Sequence, residues 1–458
     1  MRNRKLLASM ARSWLSVVIT VFMVIVVGGY EQLSIAENDR EKTYESLKLF
    51  TDVLQELEDN YVDEVDGEAL IHSAIKGMVG SLDPHSTFMP PEAFDELQDD
   101  TKGEFGGIGI VISIKNGLLT VVSPIEGTPA YKAGIKAGDI IIKIDGESTA
   151  DLALWESVKK MRGTRGESVV ITIVREGVPD PVDYELVRDI IPMNSVRSAT
   201  IHPGYGYLWV TNFRNNTSDE IKEKLDILES GQVPLKGLIL DLRNNPGGLL
   251  SQAADVSDIF LEKGVIVSIK GRFEQHTEAF EAHKTKDDRK YPLVVLINSG
   301  SASASEIVAG ALQDHKRALI LGTTSFGKGS VQSVRPLRDG FGLKYTIARY
   351  YTPNGRSIQA QGIIPDIEVP FSLEEVAEKE EKELSPMERM LREKDLKNHL
   401  EPENAQKNKK KLQEEKENQD SDETTSGGLI DIEKLKRDTQ VQRALDLLIG
   451  YDLFNSLD

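Results

Sequence analysis

The chain has 458 residues, room for two or three domains of ordinary size. Its composition, 39% hydrophobic and 28% charged, is that of a globular protein rather than a disordered or many-spanned membrane one. A formal net charge of -19 sets the average surface against phosphate and excludes a general nucleic-acid binder. The absence of cysteine excludes disulfides, thiolate metal sites, a cysteine nucleophile and a lipid anchor on cysteine.

At the N-terminus, Arg2, Arg4, Lys5 and Arg12 precede an apolar run over 14–27, interrupted only by Ser16 and Thr20. A basic flank followed by an apolar stretch engages export machinery and keeps the positive end inside, so residues 1–38 are expected to form an export signal or membrane anchor. Gly28 and Gly29 follow without a clear Ala-x-Ala cleavage site, which leaves both forms open. The working part is expected outside the cytoplasmic membrane, in the periplasm or at the cell exterior, anchored or released after signal cleavage.

Region 39–102 carries Leu47, Phe50, Val53, Leu54 and Leu57 at helical spacing with acids between them, predicting a helical N-terminal region that includes the turn Leu82-Asp83-Pro84-His85-Ser86. A composition shift at Gly103 opens a module, 103–188, with strands expected over 107–114, 118–122, 139–144 and 168–175. Region 189–370 alternates strand-like apolar runs (237–242, 293–298 and 317–321) with helical stretches, the pattern of αβ layering. Region 371–428 is mostly charged and too poor in apolar side chains for a core, which reads as a linker or solvated helix. In the last region, 429–458, a helix is predicted over 432–453. Its apolar face (Leu435, Val441, Ala444, Leu445, Leu448) must bury against this chain or a second copy.

The most informative segment is the apolar strand over 293–298, which runs into Ser299-Gly300-Ser301-Ala302-Ser303-Ala304-Ser305-Glu306 and then directly into a helix. Small residues let a substrate backbone approach closely, and the helix start offers unpaired N–H groups and a positive dipole end to a developing oxyanion. One serine of this turn is a candidate nucleophile; the plain alternative is a helix N-cap with small neighbours. A serine needs a base. The nearest histidine, His315, lies at the far end of the predicted helix, about three turns away. The next strand leads instead into Gly322-Thr323-Thr324-Ser325-Phe326-Gly327-Lys328-Gly329, a lysine between glycines. Burial disfavours the charged form of lysine and brings it toward use as a general base. In a strand–helix–strand unit with parallel strands both loops leave the same sheet edge, so the serine turn and Lys328 would face each other. The same loop nearly matches the phosphate-binding pattern Gly-x-x-x-x-Gly-Lys-Ser/Thr, but Gly329 replaces the metal-binding hydroxyl and Val331-Gln332-Ser333 replaces the helix.

These residues resemble the carboxyl-terminal processing (tail-specific) serine peptidases. The resemblance spans about 50–370 and includes Asp83-Pro84-His85-Ser86-Thr87-Phe88-Met89, Phe105-Gly106-Gly107-Ile108-Gly109-Ile110, Asp241-Leu242-Arg243-Asn244-Asn245-Pro246-Gly247-Gly248 and Tyr351-Thr352-Pro353-Asn354-Gly355. It implies an α/β (α+β) fold: a crotonase/Clp-protease-like αβ core with an inserted PDZ domain and helical terminal regions. It implies Ser303 as nucleophile, Lys328 as base and Gln332 as the residue that orients the lysine. It also sets one glycine of the 243–248 turn, taken as Gly247, opposite the N–H of Ala304 as the second oxyanion donor.

Within the implied PDZ domain, Gly107, Ile108, Gly109 and Ile110 form a loop whose N–H groups can receive a chain-terminal carboxylate, followed by an edge strand to which a peptide can add. Ile108, Ile110 and Leu152 would line the pocket for an apolar terminal side chain. Arg162 matches the arginine that in some relatives couples peptide binding to the active site. The expectation is an exported serine endopeptidase that takes protein or peptide substrates by a free C-terminus, without metal or cofactor and without nucleic acid. It would be a homodimer through its amphipathic termini, open to a regulatory protein partner, and gated by the PDZ domain. The rival from another class is a non-catalytic PDZ peptide-binding scaffold; nucleotide binding is the third.

Overall fold

A computed structural model describes residues 41–115, 117–150, 152–284, 289–372 and 430–457. The segment expected to direct export and the charged stretch 373–428 lie outside these residues. The chain divides between Met78 and Val79 into two compact units. The smaller holds helix α1 (41–60) and most of helix α2 (Gly67–Gly80). Leu47, Phe50, Val53 and Leu57, which carried the predicted periodicity, are all exposed on α1. Asp66 starts α2 by accepting the N–H groups of Glu68 (3.0 Å) and Ala69 (3.2 Å).

The larger unit opens with Asp83, whose buried carboxylate accepts from His85 N (2.8 Å), Ser86 N (2.9 Å) and Ser86 Oγ (2.7 Å), closing the predicted turn. Strand β1 (Thr87–Met89) and helix α3 (Pro91–Lys102) follow; α3 begins on a proline and ends on Gly103, whose φ of 78° suits only a residue without Cβ. Strand β2 (Glu104–Gly107) then leads into a module built from β3 (Ile110–Lys115), β4 (Leu118–Pro124), α4 (Pro129–Lys132), β5 (Ile140–Ile144), β6 (Glu147–Ser148), α5 (Leu154–Met161), β7 (Ser168–Val174) and β8 (Val182–Val187). The strands pair antiparallel in the order β3-β4-β5-β7-β8, with β6 on β5, which leaves β3 at an edge. Alternation along β7 turns Val169, Ile171 and Ile173 inward onto Ile108, Val121, Ile141 and Ile144, the module's own core. Strand β9 (Asp189–Pro192) returns antiparallel beside β2, so the module enters and leaves through one pair of strands.

The remainder holds β10 (Val196–His202), β11 (Tyr205–Val210), α6 (Thr217–Glu229), β12 (Gly237–Asp241), α7 (Leu250–Asp258), β13 (Gly264–Gly271), β14 (Glu278–Ala282), β15 (Leu293–Ile297), α8 (Ala304–Asp314), β16 (Leu319–Gly322), β17 (Ser330–Pro336), β18 (Gly342–Tyr351), β19 (Ile367–Glu368), α9 (Ile432–Leu435) and α10 (Thr439–Asn455). One sheet runs β10-β11-β12-β15-β16-β19 and is parallel from β11 onward. A parallel sheet must be covered on both faces, and β12 and β15 are buried at every residue. Leu238 and Leu240 face α6, α7 and α8, whereas Ile239 faces Val441, Ala444 and Leu448 of α10. The apolar face of the last helix is therefore satisfied by this chain. The predicted single helix over 432–453 is two, because Asp438 caps a new start by accepting from Gln440 N (2.9 Å) and Val441 N (3.2 Å). The second sheet, β1-β18-β13-β14 with β17 on β18, draws β1 and α3 into the αβ region rather than into a helical N-terminal one.

Candidate active site

Strands β15 and β16 are adjacent and parallel with α8 between them, so the turn after β15 and the loop after β16 leave the sheet at one edge. In the first turn the serines divide by their bonds. Ser301 Oγ donates to Leu242 O (2.8 Å) and accepts from Asn298 N (3.0 Å), and Ser305 Oγ donates to Asn245 O (2.9 Å); both are fully buried and serve the turn. Ser303 lines a cavity of about 260 Å³. It stands at the N-cap of α8 with φ 56° and ψ -114°, a backbone conformation that costs a non-glycine residue on the order of 1–3 kcal/mol.

Lys328 lines the same cavity. Its loop starts at Gly322 (φ 129°), where a Cβ would fall 2.0 Å from Ile297 O, so glycine alone lets the loop pass over the end of β15. The Tyr350 hydroxyl donates to the Lys328 carbonyl, and Phe326 N donates to Ser301 O (3.0 Å), tying one loop to the other. The densest knot is Glu306. Its Oε2 accepts from Ser303 N (2.9 Å) and Lys328 N (2.9 Å); its Oε1 accepts from Gly327 N (2.8 Å) and Ser325 Oγ (2.5 Å). The side chain is fully buried, and burial pushes its carboxyl up to about 7 against the lowering by these four bonds. Helical spacing alone does not set Glu306 apart from the other residues of a helix start. Its signal was an acid followed directly by Ile307-Val308-Ala309, which marks a carboxylate bound for the interior.

Gly247 also lines the cavity, and a Cβ there would fall 2.7 Å from Ser303 Cβ and 2.8 Å from Ala304 N, so its backbone lies against the nucleophile candidate. Its N–H is committed to Asn245 Oδ1 (2.9 Å). Gly248 N and Ala304 N have no hydrogen-bond partner among the described residues. Gln332 reaches the cavity, where its amide nitrogen donates to Ser330 Oγ (2.9 Å) and Ser330 O (3.2 Å). Leu97, Phe213, Ile307, Val331 and Tyr350 give the cavity an apolar wall suited to a substrate side chain. A larger groove of about 890 Å³ opens where β15 and β16 begin, the opposite sheet edge, and holds none of these candidate residues.

In the β3–β8 module, Gly107 pairs with Asp189 in the β2–β9 ladder, so the loop proper is Ile108 and Gly109. Their carbonyls accept from Ala130 N (2.9 Å) and Ile125 N (2.9 Å), while their own N–H groups have no partner among the described residues. Ile108 is buried in the module's core, whereas Ile110 and Leu152 are half-buried. Arg162 is not at the cavity. Its guanidinium lies 4.4 Å from the centre of the Phe105 ring on β2, and its Nε is buried without a hydrogen-bond partner among the described residues.

Residues 204–369 match peptidase family S41, residues 120–175 match a PDZ domain, and residues 26–93 match the activating protease CtpB N-terminal domain. A carboxy-terminal-processing protease of Bartonella bacilliformis is 48% identical over 345 residues, covering 75% of this chain and 79% of that one. The carboxy-terminal processing protease CtpA of Bacillus subtilis is 38% identical over 316 residues, 68% of this chain and 66% of that one. Among solved structures, a photosystem II D1 C-terminal processing protease aligns at 31% identity over 70% of this chain and 92% of that one, with a TM-score of 0.40.

Proposed function

This chain belongs to the carboxy-terminal-processing serine peptidases of family S41, with a PDZ domain, and from that premise we propose that it is an exported endopeptidase that takes a protein substrate by its free C-terminal end and cuts upstream with Ser303 and Lys328. The observation that carries the assignment is that Ser303 and Lys328, from the ends of neighbouring parallel strands, line one cavity beside the Gly247–Gly248 turn. Ser303 Oγ attacks the scissile carbonyl while neutral Lys328 takes its proton; Lys328 returns that proton to the leaving amine, and water then hydrolyses the acyl-enzyme. Ala304 N–H is one donor to the oxyanion. Gly248 N–H is the better second donor than Gly247 N–H, which Asn245 already occupies. Gln332, whose amide nitrogen is held by Ser330, orients Lys328 through its Oε1, the atom that can accept from the lysine amine.

The C-terminal carboxylate is received by the free N–H groups of Ile108 and Gly109, and the substrate adds along the edge strand β3. Arg162, on the ring of Phe105 in the strand that leads to this loop, transmits occupancy toward the core. The exposed apolar residues of α1 support a homodimer, and the basic-then-apolar segment at 1–38 supports export with anchoring or signal cleavage. The test is cleavage of an unstructured protein ending in apolar residues, followed by mass spectrometry. Cleavage is lost in Ser303→Ala and Lys328→Ala and reduced when the substrate C-terminus is amidated. Equal cleavage of the free and amidated forms would remove the tail-first step.

A further inference from the structure

Glu306 is a fully buried carboxylate that the mechanism above does not use. Burying such a group is unfavourable unless donors surround it, and here all four donors are neutral and none is a cation. A serine three residues before a glutamate is the spacing of a capping box, which accounts for the bond from Ser303 N alone. The other three donors come from the Lys328 loop, beyond the reach of any helix cap.

The distribution over the two oxygens carries the inference. Oε1 gathers Gly327 N and Ser325 Oγ, which shape the loop. Oε2 gathers Ser303 N and Lys328 N, each at 2.9 Å, so one atom accepts from the backbones of both residues assigned to the chemistry. Two N–H groups converging on one oxygen cannot drift apart without breaking a hydrogen bond in a dry interior. The same bond on Ser303 N helps hold the residue at its positive φ.

We propose that Glu306 is a positioning residue that sets the separation of Ser303 and Lys328 by holding both backbones on a single carboxylate oxygen. The proposal rests on the Ser303–Lys328 reading, and its test separates the two. The full chain would be compared as wild type, Ser303→Ala, Glu306→Gln and Glu306→Asp on the same unstructured substrate, with kcat and KM resolved and Tm recorded. The amide of Glu306→Gln leaves at least one of the three backbone N–H groups facing an NH2. The aspartate keeps the charge and the helix cap but falls one methylene short of the Lys328 loop. Both variants are expected to lose kcat on the order of 10²-fold with KM unchanged, as a misplaced reacting pair requires. If Glu306→Gln does not fold, Glu306→Asp decides alone. Wild-type kcat in a folded variant, or a loss confined to KM, overturns the positioning role. Activity retained by Ser303→Ala overturns the underlying assignment instead, whatever the Glu306 variants do.

Discussion

The two loops on which the proposed function depends are held in opposite ways. At the edge that carries Ser303 the side chains that shape the turn are committed: Ser301, Ser305, Asn245 and Glu306 lock the turn and the Lys328 loop together through buried bonds. At the PDZ loop the carbonyls of Ile108 and Gly109 are tied down, while their N–H groups await a partner. In the proposed function the first region has its side chains fixed before substrate arrives, and the second is completed by it. Chemistry needs a fixed pair of reacting groups, whereas recognition of a chain end needs unspent donors at an edge strand.

This contrast can be broken at graded depths. Ser303→Ala or Lys328→Ala should lower cleavage by roughly 10⁴-fold or more while leaving C-terminal peptide affinity for the PDZ domain unchanged, as read by kinetics and fluorescence titration. Next comes Arg243, at the turn that carries Gly247. It donates to Asp241 (Nε to Oδ1, 3.0 Å), Asp438 (Nη1, 2.7 Å) and Gln440 (Nη1, 2.8 Å), clamping α10 to the sheet. Arg243→Ala strands two buried carboxylates and should cost about 3–5 kcal/mol in a denaturant titration. Gly247→Ala puts a Cβ 2.7 Å from Ser303 Cβ at a φ of 101°. It should cost about 10²–10³-fold in kcat, again with peptide binding intact.

Gly109→Ala reverses the pattern. Its Cβ would lie 2.3 Å from Thr128 Cβ at a φ of 78°, so peptide affinity should fall roughly 10-fold or more while Ser303 stays reactive toward a small acylating probe.

The smallest effect concerns acid, and here the regions should differ in sign. Burial pushes the Asp139 carboxyl of the PDZ domain up, but the bonded Arg175 guanidinium (2.7 Å), the N–H of Lys136 (2.8 Å) and the charges of both residues together outweigh it and leave the carboxyl below its ordinary value. That contribution is present above the unfolded-state value and is lost as pH falls through the folded-state one. Glu306 is raised to about 7, so its folded form binds more protons than the unfolded chain between about 4.5 and 7. Its contribution weakens as pH rises through that window. Hydrogen exchange followed from pH 7 downward should therefore show the PDZ core loosening before the α8 turn.

Much of the catalytic edge was legible because it is local. The strand, small-residue turn and helix over 293–306 and the lysine between glycines each carry their signal within a few residues, and parallel topology supplies the rest. What escaped depends on distant partners. The second sheet joins β1 to β18 across more than half the chain, and no periodicity reports such a pairing. The break between α9 and α10 comes from one capping aspartate inside a stretch of continuous helical spacing. Gly247 and Gly248 look alike in sequence, and only Asn245 folding back onto one of them tells their N–H groups apart.

The paired strands β2 and β9 have a consequence for how this chain can be divided. Met193 N donates to Gly103 O at 2.8 Å, so the residues flanking the PDZ domain are already neighbours across a single hydrogen bond. Everything between them is an excursion that begins and ends at one point on the protease surface. A chain joined from Gly103 to Met193 through a short turn would keep the layers that hold Ser303 and Lys328 while shedding the PDZ domain whole, and would separate the proposed cleavage from the proposed choice of chain ends.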